Sequence, residues 1–383
     1  MAERPIVLVT GEYPPDVGGL ADYTARLRAA LRTRGRHVEI VTHHRRAAPP
    51  EPAEPHVHRV IQRWDARGVA HLLRRVPGDA IVHLQYQAAA FDLLGDICLA
   101  PWLLRRLRPD TRVATTFHDV RVPYVFPKAG RLRPLALRLM ARSSHAVLAA
   151  DHTDLTWLGA PSPRHHWVPI GSNLERRPPP GYGRAAFRAG LGVGAQDAVV
   201  VYFGLLTRGK GLATLRAAFR AIGKQLAAHA PARTAWLLLL GGAASASVPG
   251  DKLAAPRGDR VISSGYLDNE ALSAYLLAAD VALLPYDDGA SARRGSLLAC
   301  AEHGLPIVTT SGPGLDSRGL DLAGSVLACP PGAAEALARA VASVLRDPTL
   351  HATLAGRSAR LAERVGWAAI ADRHLAIYAG LPG

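Results

Sequence analysis

Two cations stand between glycines in the segment GLLTRGKG, at residues 204–211 of this 383-residue chain. Arg208 and Lys210 follow the apolar run AVVVYF, and the glycines, beginning with Gly204, let the backbone approach a ligand closely. Guanidinium and ammonium groups suit phosphate oxygens. The motif is not a P-loop, because Gly211 stands where that motif has the magnesium-binding Ser or Thr. The segment therefore predicts a phosphate site.

A second donor-rich stretch, DGASARRGSLLACAEHG, begins at Asp288. Arg293 and Arg294 precede an apolar run typical of a short helix, and Ser296 is placed to cap that helix. The free amides of a helix N-terminus, such as that of Leu297, favour an anion. We expect this stretch and the glycine loop to bind one diphosphate, and the alternative is a solvated arginine pair before a core helix.

Two further loops carry glycines or polar residues next to predicted strands. Gly18 and Gly19 precede a predicted helix in GEYPPDVGGL, where they would leave helix amides free for an anion. His118 and Asp119 lie where the strand-like run RVATTFH ends and the next loop begins. A histidine at the carboxyl end of a strand can hydrogen-bond a sugar hydroxyl or stabilise developing charge, although a lone histidine is also an ordinary structural residue.

Strand-like runs alternate with helical periods along the whole chain, which is typical of parallel α/β sheets. The predicted strands are 5–10, 38–42, 80–85, 112–118, 145–150, 165–170, 198–203, 236–242, 260–265, 281–286 and 306–310. The proline-rich segment 174–184 interrupts this alternation and is typical of a linker or hinge. We therefore expect two doubly wound α/β domains, with ligands outside the carboxyl ends of their strands.

Composition excludes several classes of protein. The formal charge is +15, but only four of the 46 basic residues are lysines, and the arginines are dispersed along the chain. Dispersed arginine is typical of compositional bias, and the alternative is attraction to anionic partners such as sugar nucleotides or lipid phosphates. We expect no nucleic-acid partner, since no basic stripe is interleaved with aromatic residues.

The cysteines and the apolar runs bear on the expected location. Cys98, Cys300 and Cys329 have no CxxC spacing, which argues against a zinc or redox site built from them. No run reaches the roughly 18 apolar residues of a membrane span, and the N-terminus does not resemble a leader peptide. These observations predict a cytoplasmic protein, with the inner face of a membrane as a peripheral alternative.

Four segments, in chain order, resemble the retaining glycosyltransferases of family 4, which have the GT-B fold. They are YPPDVGGLADYTARLRAALRTRGRHVEIVT, YFGLLTRGKGLATLRAAF, LLACAEHGLPIVTT and GWAAIADRHLAIYAGL. The resemblance covers essentially the whole chain and implies two Rossmann-like domains that face each other across a cleft. Residues 1–178 would bind the acceptor, residues 179–365 would bind the nucleotide sugar, and residues 366–383 would form a helix that crosses back to the first domain.

The resemblance also implies roles for individual residues. Lys210 matches the family's phosphate-binding lysine, and Gly18 and Gly19 match the loop that lies against the donor diphosphate. His118 matches a histidine that contacts the donor sugar. The expected partner is thus a nucleotide-diphosphate sugar, which is a co-substrate, and no further cofactor is expected.

The chain departs from the family's pattern at two carboxylates. The family commonly has two glutamates eight positions apart around its donor helix, and Ser291 and Ala299 stand at those positions here. The family's phosphate-loop arginine falls on Leu205. The segment GYLDNEAL resembles the part that packs on the nucleotide base, which makes Tyr266 and Leu267 weaker candidates for donor binding.

The implied reaction is transfer of a hexosyl group to an acceptor hydroxyl with retained anomeric configuration. The departing diphosphate would help to take the acceptor proton, stabilised by Arg208, Lys210, Arg294 and the amides after Ser296. His118 would orient the sugar. No metal ion is required, because helix amides and side-chain cations supply the electrostatic stabilisation.

Two rival functions stay open. An inverting enzyme on the same fold would need a base in the first domain, for which Asp16, Asp22 or Asp119 would be candidates. A non-catalytic GT-B subunit that activates a true transferase is the second rival, and the absence of the two glutamates motivates it.

The acceptor is the least determined partner. Asp22, Tyr86 and Asp119 are weak candidates for the acceptor side, and a saccharide, a lipid-linked acceptor and a small molecule all fit. The segment RLRPLALRLMAR, residues 131–142, is basic and leucine-rich and could lie on an anionic membrane. The alternative is an ordinary amphipathic surface helix.

Overall fold

The computed structural model describes residues 3–16, 18–44, 54–120, 132–206, 209–241, 260–316 and 320–382. Two compact units divide the chain. The N-terminal unit is Met1–Asn173 together with Trp367–Gly383, and the C-terminal unit is Leu174–Gly366. The N-terminal unit therefore combines two separate stretches of sequence, and the C-terminal unit is one continuous segment.

Strands and helices alternate through both units. The strands are β1 (Ile6–Thr10), β2 (Val38–His43), β3 (Val57–Ile61), β4 (Ile81–Tyr86), β5 (Arg112–Phe117), β6 (Ala146–Ala149), β7 (His165–Trp167), β8 (Ala198–Phe203), β9 (Ala235–Leu240), β10 (Arg260–Gly265), β11 (Val281–Leu284), β12 (Ile307–Thr310) and β13 (Leu327–Cys329). The helices are α1 (Gly19–Thr33), α2 (Ala66–Arg75), α3 (Ala100–Leu107), α4 (Leu132–Ser143), α5 (His152–Leu158), α6 (Arg184–Gly190), α7 (Leu212–His229), α8 (Asn269–Ala278), α9 (Gly295–Glu302), α10 (Leu322–Ser325), α11 (Ala334–Arg346), α12 (Pro348–Val365) and α13 (Trp367–Ala379).

The sheet of the N-terminal unit is parallel throughout its described strands. Its seven described strands lie in the order β3-β2-β1-β4-β5-β6-β7. β1 pairs with β4 from Ile6 beside Ile81 to Thr10 beside Gln85. The strand order runs outward in both directions from this pair, so the switch point of the sheet lies between β1 and β4.

Helices cover both faces of this sheet, because successive strand residues point to opposite sides. Val7 and Val9 of β1 pack in one core with residues of α2, α3, α4 and α5. Ile6 and Leu8 pack in a second core with residues of α1 and α13. Strands buried on both faces explain why the sequence shows continuous apolar runs and little alternation.

The last helix, α13, belongs to the core of the N-terminal unit. Ile370 is fully buried there, and the Trp367 indole Nε1 donates to the carbonyl oxygen of Ser172 at 2.7 Å. On the outside, Arg34 Nε just after α1 lies 2.8 Å from Asp372 Oδ1. Helix α13 is therefore an integral part of this unit.

The C-terminal unit repeats the same topology. Its six described strands are parallel, in the order β10-β9-β8-β11-β12-β13. β8 pairs with β11 at Val200 beside Val281, and both strands are almost entirely buried. The switch point lies between these two strands, so the loops after them are the expected binding loops. The prediction of two doubly wound α/β domains is confirmed.

Among the helices that the structure describes, none is both long enough and apolar enough to cross a bilayer.

Candidate functional site

Two loops of the C-terminal unit meet at the switch point between β8 and β11. Gly211, the residue before α7, has a φ of 70°, and a Cβ there would lie 1.6 Å from the carbonyl oxygen of Pro285. Only glycine permits this approach, so the loop after β8 touches the loop after β11 through backbone atoms. Gly204, with a φ of 150°, opens the first loop, and Arg208 lies outside the described residues.

A buried tyrosine links the second loop to helix α9. The Tyr286 hydroxyl and Ser296 Oγ share a hydrogen bond of 2.7 Å, and Tyr286 is 1% exposed. The guanidinium of Arg294 lies over the Tyr286 ring, 4.6 Å from its centroid. Burial raises the pKa of Tyr286, so its hydroxyl stays protonated and serves as a structural anchor.

Arg294 and Lys210 bring positive charge to this point. Arg294 forms an ion pair with Asp288, and its buried Nε has no hydrogen-bond partner among the described residues. The pKa of Lys210 is lowered, mainly by burial and to a smaller extent by the charge of Arg294, whereas the charge of Asp288 acts in the opposite direction. An anion bound here would stabilise the charged lysine, so the electrostatics favour a phosphate ligand.

The predicted capping role of Ser296 is wrong. Helix α9 begins at Gly295 with Arg294 as its N-cap residue, and no side chain caps it. Ser296 therefore lies in the first turn, where its hydroxyl is engaged by Tyr286. The amide of Leu297, predicted to be free, donates to the carbonyl oxygen of Arg294 at 3.0 Å. In an α-helix that starts here, the amides of Gly295 and Ser296 lack an intrahelical acceptor.

The two positions that carry glutamate in the resembled family are tightly packed in this chain. A Cβ at Gly314 would lie 2.3 Å from Ser291 Cβ, so Ser291 sits against the backbone of the loop after β12. Ala299 is 1% exposed, and its carbonyl oxygen accepts from His303 Nδ1 at 2.8 Å. The small side chains of Ser291 and Ala299 therefore fit the space at these two positions.

Tyr266 and Leu267 lie in the short connection between β10 and α8. Tyr266 is 89% exposed, and Leu267 is partly exposed. The next residue, Asp268, caps α8 by accepting from the amide of Ala271 at 2.8 Å. An exposed ring on an anchored turn is available for stacking, which is the role predicted for Tyr266.

In the N-terminal unit, the glycine loop lies after β1 at the switch point. Gly18 precedes α1, and a Cβ there would lie 2.7 Å from Glu12 Oε2. Burial, and then Asp16, raise the pKa of Glu12. Glu12 was not among the predicted residues, although its place two residues after β1 was a usable signal. Gly19 begins α1, and Asp22 is exposed in the first turn.

His118 directly follows β5 and is held in place by its neighbours. Its Nε2 donates to Gln85 Oε1 at 2.8 Å, and its ring packs edge-on against Tyr23 at a centroid distance of 4.7 Å. Gln85 is fully buried near the end of β4. The histidine is thus positioned at the carboxyl edge of the sheet by β4 and α1, with Asp119 partly exposed beside it.

The predicted acceptor-side role of Tyr86 does not fit its position. Tyr86 is 3% exposed and packs against Phe91 and Phe117, each at a ring distance of 5.8 Å. Although Tyr86 ends β4, its side chain lies in the apolar core. The prediction for Tyr86 is corrected accordingly.

A row of buried polar side chains runs from β5 to the last helix. His83 Nε2 lies 2.7 Å from Thr116 Oγ1, and His83 Nδ1 lies 2.5 Å from the Tyr378 hydroxyl. Burial, together with His374 and His118, holds the pKa of His83 well below its usual range. The ring is therefore neutral, and these bonds tie α13 to the sheet.

The whole chain is similar to solved structures of about the same length. HepE from Anabaena, solved with UDP and glucose, is 19% identical over 99% of this chain and 100% of its own, with a TM-score of 0.65. WaaG, a glycosyltransferase involved in lipopolysaccharide biosynthesis, is 17% identical over 98% of this chain and 100% of its own, with a TM-score of 0.56. A putative UDP-N-acetylglucosamine 2-epimerase from Listeria monocytogenes is 12% identical over 98% of this chain and 96% of its own, with a TM-score of 0.62.

These likenesses and the two doubly wound sheets define a GT-B fold. Residues 197–347, which include both loops of the C-terminal switch point, match the sequence model of the family described as Glycosyl transferases group 1. No curated protein matches the chain. The family match supports a glycosyltransferase, while the epimerase illustrates that the fold alone does not decide the reaction.

Proposed function

We propose that this protein transfers a hexosyl group from a nucleotide-diphosphate donor to an acceptor hydroxyl, with retention of configuration and without a metal ion. The observation that carries the proposal is the meeting of Lys210, Arg294 and the first turn of α9 at the switch point of the C-terminal sheet. The family match over residues 197–347 and the UDP bound by HepE support a nucleotide-sugar donor.

The proposed reaction is a transfer on one face of the sugar. The bond between the anomeric carbon and the diphosphate oxygen breaks, and a bond from that carbon to the acceptor oxygen forms. The acceptor proton passes to the departing diphosphate. Lys210, Arg294 and Arg208 stabilise the negative charge that grows on this leaving group, and the amides of Gly295 and Ser296 add hydrogen bonds.

Residues of the N-terminal unit take the remaining roles. Gln85 and Tyr23 hold His118, which we assign to orienting the transferred sugar. We assign Gly18 and Gly19 to the donor diphosphate, since they leave the amides of the first turn of α1 uncovered. A Cβ at position 18 would meet the Glu12 carboxylate, so a larger residue there would have to displace that side chain.

The missing carboxylates lower the expected affinity but do not abolish donor binding. A hydrogen bond to a charged group contributes about 1.5–3 kcal/mol, or about 10- to 150-fold in affinity. Diphosphate contacts from three cations and two helix amides would offset that loss. The absence of the same carboxylates motivates the rival in which the chain is a non-catalytic partner subunit.

Donor turnover by the purified protein tests the proposal. We expect hydrolysis or transfer of a nucleotide sugar that is lost in Lys210→Ala and retained in Lys224→Ala, because Lys224 is exposed on α7. Absence of turnover with tight copurification of a second transferase would support the partner subunit. Product stereochemistry by NMR separates retention from an inverting mechanism based on Asp16, Asp22 or Asp119.

We further propose that α4 meets an anionic membrane that presents the acceptor. Leu132, Leu135 and Leu139 are 73%, 63% and 39% exposed, and their spacing places them on one side of the helix. Arg138 and Arg142 are exposed beside them, while residue 131 lies outside the described residues. The exposed leucines would insert at the boundary between lipid headgroups and acyl chains, and the arginines would contact negatively charged headgroups.

Flotation with vesicles tests this membrane contact. We expect binding to vesicles of phosphatidylglycerol and weaker binding to phosphatidylcholine. Leu135→Glu should reduce binding, whereas Leu93→Glu should not, because Leu93 is an exposed leucine of the same unit that lies outside α4. Equal binding by both variants would leave α4 as an ordinary surface helix.

A further inference from the structure

A cluster of two histidines and one glutamate lies at the amino ends of β2 and β3. His37 and Glu39 come from the chain entering and beginning β2, and His56 directly precedes β3. One ligand atom from each of these three residues lies within 4.8 Å of the other two. The loops after β1, β4 and β5 lie at the opposite edge of the same sheet, so this cluster is separate from the proposed transfer site.

The strand register explains why these side chains meet. β2 and β3 are parallel, with Ile40 beside Val57. One residue earlier on each strand, Glu39 therefore adjoins His56. Because side chains alternate between the two faces, His37 lies on the same face as Glu39. The pattern His-x-Glu followed by His-x-His thus gathers nitrogen and oxygen ligands on one face of the sheet edge.

The carboxylate of Glu39 is oriented by its neighbours. Its Oε2 lies 2.9 Å from His58 Nε2 and 3.6 Å from Arg75 Nη2. Its Oε1 faces His37 Nε2 at 3.2 Å. Burial tends to raise the pKa of Glu39, but the contacts with His37, His58 and Arg75 lower it overall. These contacts therefore hold the carboxylate in a defined orientation beside His37.

The two histidines of the cluster are close to one another and reachable from solvent. Their ring centroids are 4.7 Å apart at an angle of 82°, and both residues are exposed. His56 has a φ of 64°, a left-handed conformation that is uncommon for a residue with a side chain. Two imidazoles and one carboxylate form a donor set that suits Zn²⁺, which commonly takes water as a further ligand.

We propose that His37, Glu39 and His56 bind a divalent zinc-class metal ion, with His58 and Arg75 orienting the Glu39 carboxylate. The ion joins β2 to the edge strand β3 across their amino ends, and it replaces the hydrogen bond between His37 and Glu39. Outer contacts of this kind orient a ligand and fix its protonation state in known metal sites. This inference does not depend on the proposed transferase activity.

The experiment is a Zn²⁺ titration of the metal-free full chain, monitored by competition with a chromogenic chelator. The chain has 16 histidines, so variants must locate the site. We expect His37→Ala and His56→Ala each to weaken Zn²⁺ binding by about 10-fold or more. We expect the same of Glu39→Gln, which keeps the shape of the side chain. His71→Ala, which removes an exposed histidine of α2, should leave binding unchanged.

Two further measurements make the outcome decisive. Co²⁺ should give a visible absorption band that His56→Ala abolishes, while circular dichroism shows that the variant is folded. Zn²⁺ binding that is absent in the parent protein, or that is equal in His37→Ala, Glu39→Gln and His71→Ala, would overturn the proposal.

Discussion

The hydroxyl groups of Tyr286 and Ser296 lie 2.7 Å apart and join the loop after β11 to the first turn of α9. This bond fixes the helix end at which the proposed diphosphate would bind. It also gives Ser296 a structural task that its sequence position does not reveal.

Removing either hydroxyl should lower stability, because the remaining hydroxyl would lose its hydrogen bond in a partly buried place. We expect Tyr286→Phe and Ser296→Ala each to lower the free energy of unfolding by about 1 kcal/mol. The double variant should cost less than the sum of the two single variants, since both remove the same bond. Urea unfolding of all four proteins measures this coupling, and strictly additive losses would contradict the bond.

Arg294 should matter for donor affinity more than other arginines of the same unit. We expect Arg294→Ala to weaken nucleoside-diphosphate binding by about 10- to 150-fold, the range for a charged hydrogen bond. Arg357→Ala is the matched control, because Arg357 is exposed on α12. Isothermal titration with UDP measures the effect. Unchanged affinity in both Arg293→Ala and Arg294→Ala would show that these cations do not replace the missing contacts.

Gly211 should tolerate no side chain. Alanine there would be strained by the φ of 70° and would place its Cβ 1.6 Å from the Pro285 carbonyl oxygen. We expect Gly211→Ala to lower stability by about 3 kcal/mol or more, and Gly209→Ala by about 1 kcal/mol. Gly209 also has a positive φ, 83°, but a Cβ there meets nothing within 4 Å. Equal thermal unfolding of the two variants would contradict the close approach of the loops.

His303 should make stability depend on pH in the acid range. Its Nδ1 donates to the Ala299 carbonyl oxygen and its Nε2 accepts from Ser273 Oγ, each at 2.8 Å, so the ring is neutral in the fold. Burial lowers its pKa from 6.5 to about 4. Between these values the unfolded chain binds a proton that the folded chain does not, so stability falls as the pH is lowered through this window.

A pair of unfolding curves isolates this effect. Between about pH 7 and pH 5, His303 should account for about 2 kcal/mol of lost stability. The variant His303→Gln should lose less over the same interval, although His374 and His145, whose pKa values are also lowered to about 4, keep part of the slope. An identical loss in the variant would show that His303 does not titrate in this way.

Sequence patterns predicted the fold because buried parallel strands are recognisable as apolar runs. β8 and β9 are nearly continuous runs of this kind, and both were predicted. β3 was not, because its side chains are mostly only partly buried and include a histidine and an arginine. The strands that were not predicted, β3 and β13, both lie at sheet edges, where the demand for apolar residues is relaxed, although the edge strands β7 and β10 were predicted.

The location of the candidate site could be predicted from the sequence, but most of its side-chain hydrogen bonds could not. The strand ends indicated where Lys210 and His118 would lie, since ligands bind at the carboxyl ends of parallel strands. Individual side-chain hydrogen bonds could not be predicted from the sequence. Those of Tyr286 with Ser296 and of Gln85 with His118 are examples. The burial of Tyr86 was missed because a strand end does not reveal toward which face its last side chain points.

The membership of α13 in the N-terminal unit has a practical consequence for dividing the protein into fragments. A fragment that stops at residue 173 would lack Tyr378 and Ile370, which would leave His83 Nδ1 without its hydrogen-bond partner and a core face uncovered. Residues 174–366, by contrast, are an uninterrupted insert. The N-terminal unit is therefore best produced by excising that insert and bridging residue 173 to residue 367 with a short linker, since Ser172 and Trp367 are already in contact.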